Sequence, residues 1–151
     1  MKTDYIIREI RQEETEKSLR LVWKVFQEYE APDYTQKGIE EFYKSIHDEN
    51  YLSKLCWYGA FVGEDLIGII ATRNEGTHIA LFFVDGKYHR QGIGKRLFQT
   101  AKTKCCSDKM TVNSSVYAVP IYHKLGFTDT DTEQVVNGLR FTPMEHSVQH
   151  Y

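Results

Sequence analysis

The segment that most limits the fold of this chain is a strand that turns through two glycines into a helix. "HIALFFV" (78–84) is apolar, β-branched or aromatic after its first residue, the pattern of a buried strand. From Ile93 onward, Leu97, Phe98, Ala101 and Cys105 recur at the spacing of one helix face. Between them lies "YHRQGIGKRL" (88–97), so Gly92 and Gly94 stand where a strand meets a helix N-terminus. Unpaired N–H groups and the helix dipole attract anions at such a place. One glycine would suffice for the turn, and the pair raises the question of a backbone that approaches a phosphate.

Length and charge narrow the partners of that turn. The 151 residues suit one domain, 1–151, large enough for its own core. No apolar run approaches the roughly 20 residues of a membrane span. "MKTDYIIREI" lacks the apolar segment and cleavage site of a secretory signal, so a cytoplasmic protein without membrane contact is expected. Cys56 and the adjacent Cys105 and Cys106 form neither a disulfide framework nor a C-x-x-C site; reduced thiols and no metal are expected. The net charge is only −2, yet six of the 19 Lys/Arg (Lys87, Arg90, Lys95, Arg96, Lys102, Lys104) fall between Gly86 and Ser107, where none of the 21 Asp/Glu lies. A local positive field in an otherwise acidic chain points to a phosphorylated small molecule. Nucleic acid is not expected, because it asks for basic charge over more of the surface.

The rest reads as a mixed α/β chain. "YIIREI" (5–10) is an edge strand. Residues 13–30 form a helix with Leu19, Val22, Trp23 and Phe26 on one face, and 39–50 a second helix with Ile39, Phe42, Tyr43 and Ile46. A strand hairpin spans 56–73, strand 77–84 follows, and the helix after the glycine turn covers about 92–106. "MTVN" (110–113) is a short strand, and a short helix ends at "KLGF" with Gly126 as its left-handed stop. The final hairpin turns at Asn137–Gly138, a pair suited to a type I′ turn.

Two common phosphate loops fail on this turn. G-x-x-x-x-G-K-[ST] fails because Arg96 follows Gly94–Lys95 and His89 stands where the first glycine belongs. G-x-G-x-x-G fails at Leu97, and no acidic residue stands at Val112. "HRQGIG" (89–94) instead resembles the acyl-CoA loop Q/R-x-x-G-x-G/A of the GCN5-related N-acetyltransferases, with His89 at the Q/R position. "NSSVYAVPIYHKLGF" (113–127) is similar to the second signature of that family, an Asn on a strand and then a helix ending in Tyr-x-x-x-Gly-Phe. The resemblance extends over nearly the whole element order.

It implies the GNAT fold, a mixed, mostly antiparallel sheet of about seven strands flanked by about four helices. It also implies acetyl-CoA as acyl donor and direct transfer of the acetyl group to a primary amine of a small molecule or peptide. The amides of Arg90, Gln91, Gly92, Ile93, Gly94 and Lys95 would hold the pyrophosphate, with charge added by Arg90, Lys95 and Arg96. Backbone near Val84 would pair with the pantetheine arm, and an amide near Phe82 would face the thioester oxygen. Asn113 would orient the arm, and Tyr122 would be the general acid at the leaving sulfur. The amine, with a pKa near 10, also needs a base. His78 occupies the position where several relatives carry a glutamate; Glu75 or a water chain are the alternatives. The acceptor would sit against Glu28, Tyr29, Glu30, Asp33 and Tyr34 and the final hairpin, carboxylates and rings that suit a cationic amine. The family often forms homodimers, which leaves a second copy open as a partner. A non-catalytic acyl-CoA-binding sensor or partner module with the same fold is the other expectation.

Overall fold

In the computed structural model, which describes residues 4–148, the chain runs β1 (Ile6–Glu9), α1 (Thr15–Val25), α2 (Gln36–Ile46), α3 (Glu49–Leu52), β2 (Cys56–Val62), β3 (Asp65–Arg73) and β4 (His78–Val84). It continues with α4 (Ile93–Thr103), β5 (Lys109–Ser114), α5 (Val119–Lys124), β6 (Thr128–Asp129), β7 (Gln134–Val136) and β8 (Leu139–Ser147). The domain expected over 1–151 therefore includes residues 1–3 and 149–151, which lie outside the described residues. The sheet order is β1-β2-β3-β4-β5-β8-β6, with β7 paired to β8. All pairs are antiparallel except β4–β5. Among the described residues the elements beyond the expected set are the four-residue α3, the two-residue β6 and short 3-10 turns at Gln12–Glu14, Ala31–Asp33 and Gly86–Tyr88.

Local chemistry explains where the helices depart from their expected bounds. The second helix begins at Gln36 because Thr35 caps it, its hydroxyl accepting from the Gly38 N–H at 3.2 Å. It ends at Ile46, and the Asp48 carboxylate starts α3 by accepting from the N–H groups of Asn50 and Tyr51. The first helix keeps α geometry only to Val25 and then widens into a π turn, Phe26–Glu30, closed by the Ala31 N–H on the Phe26 carbonyl. Its buried face is Ser18, Leu21, Val22, Val25 and Phe26, with Leu19 and Trp23 at the flanks rather than in the centre.

The sheet separates two apolar layers. One packs α1 and α2 on it through Leu21, Val22, Val25, Phe26, Ile46, Ile69, Leu81 and Phe83. The other packs α4 and α5 through Ile93, Leu97, Phe98, Ala101, Tyr122 and Phe127. β4 serves both layers, which is why its sequence is apolar after His78. The register against β3 slips between Leu81 and Ile79, so Ala80 is an extra residue in β4. Such a bulge bends a strand and re-aims its side chains. Leu81 and Phe83 thus join the α1–α2 layer, while Ile79, Phe82 and Val84 turn to the other.

Candidate active site

β4 and β5 pair only at His78–Thr111 and Ile79–Val112. Past the bulge they part, and a cleft opens beside Ala80–Val84. Two cavities occupy it. The first, about 880 Å³, lies between the glycine turn and α5 and is here called the loop cavity. The second, about 290 Å³, lies between α2, β4 and the β7–β8 hairpin and is lined by Tyr34, Phe42, Tyr51 and Phe141; it is the aromatic cavity. Five residues line both: Glu30, Phe82, Phe83, Ala118 and Tyr122.

The glycine turn forms one wall of the loop cavity. Gly92 is the N-cap of α4 with φ +79°, and Arg90 before it is also left-handed, φ +64°. The first α4 bond runs from the Arg96 N–H to the Gly92 carbonyl at 3.1 Å, so the amides of Ile93, Gly94 and Lys95 have no intrahelical acceptor. A Cβ on Gly92 would meet no atom within 4 Å. One on Gly94 would meet nothing nearer than the rim of the Phe82 ring at 3.5 Å and Val84 at 3.8 Å, so these glycines leave the wall bare rather than relieve a clash with the protein. Arg90, Lys95, Lys102 and Lys124 supply the cationic lining. These features fit a nucleotide-bearing cofactor with a pyrophosphate.

Of the residues expected on the loop, Val84, His89, Arg90, Gly92, Ile93, Gly94 and Lys95 line this cavity. Gln91 and Arg96 do not; the Arg96 guanidinium lies over the Tyr5 ring, 5.2 Å from its centre. His89 turns its ring inward, where Nε2–H donates to the Val84 carbonyl at 2.7 Å. Asn113 faces the aromatic cavity instead, because β5 has already left β4 at that point.

Tyr122 stands at the junction of the cavities, 5% exposed, with its ring against Phe82 (6.0 Å) and Phe127 (5.3 Å). Burial and the nearby charge of Glu30 raise its phenol, which stays protonated through the neutral range. Glu30 ends the π turn. Burial of its carboxyl and the charge of Asp33 push its pKa up to about 7 against a hydrogen bond from Ser115.

The two bases expected from sequence are elsewhere. His78 pairs through Nδ1 with Thr111 Oγ1 at 2.8 Å and lines neither cavity. Burial and the Arg73 guanidinium push its pKa down to about 4. Glu75 sits in the β3–β4 turn at φ +58°, where its carboxylate accepts from Cys106 Sγ at 3.3 Å. The acidic loop also divides. Glu30 lines both cavities and Tyr34 the aromatic one, while Tyr29 faces the loop cavity, its ring 4.9 Å from His89 and 5.3 Å from Tyr117. Glu28 is exposed and lines neither, and Asp33 turns its carbonyl to Arg140 at 3.2 Å. Glu41, Tyr51 and Arg140 complete the aromatic cavity and are not among the residues named from sequence; Arg140 belongs to the final hairpin expected against the acceptor, and Glu41 lies between Ile39 and Phe42 on an amphipathic helix.

Comparison with known proteins places this geometry in a family. Residues 30–148 match the model of the acetyltransferase (GNAT) domain. No curated protein matches the sequence. Among solved structures, a GCN5-related N-acetyltransferase from Rhodopseudomonas palustris superimposes with TM-score 0.83 at 19% identity, over 97% of this chain and 98% of that one. The PaiA N-acetyltransferase from Thermoplasma acidophilum, solved with coenzyme A, gives 0.76 at 20% identity over 95% and 99%. FeeM, an N-acyl amino acid synthase from uncultured soil microbes, gives 0.71 at 16% identity over 96% and 91%.

Proposed function

The chain belongs to the GNAT acetyltransferase family, and from that premise we propose that it transfers the acetyl group of acetyl-CoA directly to a primary amine of a small molecule. The observation that carries this reading is the meeting of a phosphate-suited cavity and an aromatic, acid-lined cavity at one tyrosine, Tyr122. The loop cavity would hold the cofactor, which supplies an activated thioester when bound. Free amides of Ile93, Gly94 and Lys95 and the side chains of Arg90 and Lys95 would bind its phosphates. The part of β4 that β5 leaves unpaired, with the amide near Phe82, would hold its acyl end.

The aromatic cavity would hold the acceptor. At about 290 Å³ it is at the small end of ligand sites, which favours a metabolite over a folded protein. Arg140 is already answered by Glu133 at 3.1 Å, whereas the Glu41 carboxylate has no ion pair among the described residues; a cation therefore suits the cavity better than an anion. As the amine attacks, the C–N bond forms and the C–S bond breaks. Tyr122 gives its phenolic proton to the leaving sulfur and regains one from the product nitrogen.

Acetyl-CoA incubated with the protein and a panel of amines, followed by mass spectrometry, tests the proposal. Acetylated product on a small amine is the expected result. Bound acetyl-CoA with no product on any amine would favour a non-catalytic binding module.

A further inference from the structure

An alkylamine is an ammonium at neutral pH and cannot attack until it loses a proton. Neither His78 nor Glu75 lines either cavity. We infer that Glu30, at the junction of the two cavities, is the catalytic base that takes this proton. The inference rests on the acyl-transfer reading above.

Position is the first argument. Of the five residues that line both cavities, only Glu30 and Tyr122 titrate; Phe82, Phe83 and Ala118 do not. An acid for the sulfur and a base for the nitrogen must both reach the reacting atoms, and these two residues stand where those atoms would meet. The second argument is how Glu30 is delivered. Phe26 opens the π turn, has no exposed surface, and stacks on Phe42 at 3.9 Å. Glu30 ends the same five-residue turn, so a core anchor fixes the segment that carries it. Wide turns of this kind recur at functional sites.

The surroundings suit the task. On its own segment Glu30 faces Asp33 and Tyr34. From the β5–α5 segment it meets Ser115, Tyr117 and Tyr122. From β8 comes Arg140, whose charge is committed to Glu133 and to the Asp33 carbonyl. Among the described residues no free cation holds the carboxylate ionised, and burial brings its pKa to the neutral range where a general base works best. The protons balance: the ammonium gives one to Glu30, which passes it to solvent; the second leaves the nitrogen after attack and restores Tyr122.

The pH dependence of kcat/KM for the amine, with Glu30→Gln and Glu30→Asp, tests the role. In the wild type, activity should rise tenfold per pH unit up to about 7 and then level off until the amine itself loses its proton near 10. Glu30→Gln should be about 10²–10³-fold slower at pH 7 and keep rising toward pH 10, with acetyl-CoA affinity within threefold. Glu30→Asp should restore part of the plateau. A Glu30→Gln profile like that of the wild type would overturn the role of Glu30 alone. Absence of wild-type turnover on every amine would overturn the acyl-transfer reading beneath it.

Discussion

The ring of His89 closes on the end of its own preceding strand, with Nε2–H donating to the Val84 carbonyl at 2.7 Å. A carbonyl only accepts, so the ring carries its proton on Nε2. The bond curls the glycine turn back over the loop cavity and takes up a carbonyl on the edge of β4. Replacing His89 with Ala should loosen that curl without touching the reacting atoms. The loss of one such bond is worth about 1 kcal/mol, so KM for acetyl-CoA should rise roughly fivefold with kcat unchanged. Steady-state kinetics with acetyl-CoA varied checks this, and Gln, which can donate the same bond, should restore the wild-type value.

The two glycines of the turn have different duties, and two variants separate them. Gly92 has φ +79°, so Gly92→Ala should cost about 1 kcal/mol or more in stability and weaken cofactor binding as well. Gly94 has helical geometry and only ordinary contacts to meet, so Gly94→Ala should fold and gain up to about 1 kcal/mol. Its new methyl would still stand on the bare wall, and acetyl-CoA affinity should fall tenfold or more. Denaturant unfolding and calorimetric titration of both variants check the opposite signs.

Glu41 lines only the aromatic cavity and has no ion pair among the described residues. An acceptor with a second positive group would find it. Glu41→Gln should raise KM for such a diamine roughly tenfold, about 1.4 kcal/mol, and leave a monoamine of similar size unaffected. Equal effects on both would remove Glu41 from acceptor binding.

Glu30 also predicts a trade between activity and stability. Its folded pKa of about 7 lies above the ordinary carboxylate value of 4.5, so the folded state holds more protons between those pH values. The associated stability is present in full below pH 4.5 and is lost as pH rises through 7. Glu30→Gln avoids that loss and should be more stable than the wild type at pH 8, by up to about 3 kcal/mol. The gap should narrow as pH falls toward 4.5, which urea unfolding at several pH values would show. A gap independent of pH would contradict the burial of this carboxyl.

Much of the fold was legible because it follows from local periodicity and turn chemistry. The continuous apolar run of β4, the face of α4, the Gly126 stop at φ +100° and the Asn137–Gly138 turn all stand where their residues put them. The loop wall was legible for the same reason, since it is one contiguous segment. The rest of the site is not contiguous. Nothing in "HIALFFV" marks Ala80 as the extra residue that opens the cleft, because a bulge is set by pairing with β3. Nothing in "FQEYE" marks a π turn, so the different places of Tyr29, on the loop cavity alone, and of Glu30, on both cavities, are invisible until the turn is closed. His78 opens β4, the position the family resemblance gives to a base, but its ring pairs with Thr111 outside both cavities, and burial with the Arg73 charge keeps it neutral.

Turnover by Tyr122→Phe is the measurement that reaches the central claim most directly. Burial and the Glu30 charge keep the phenol protonated, and no hydrogen bond from its hydroxyl to the described residues supports the fold. The variant should therefore fold like the wild type and bind acetyl-CoA with unchanged affinity. Its kcat on the amine that the wild type acetylates best should fall about 10²-fold or more. A kcat equal to that of the wild type would contradict the account, because the two cavities would then meet at a residue that takes no part in the transfer.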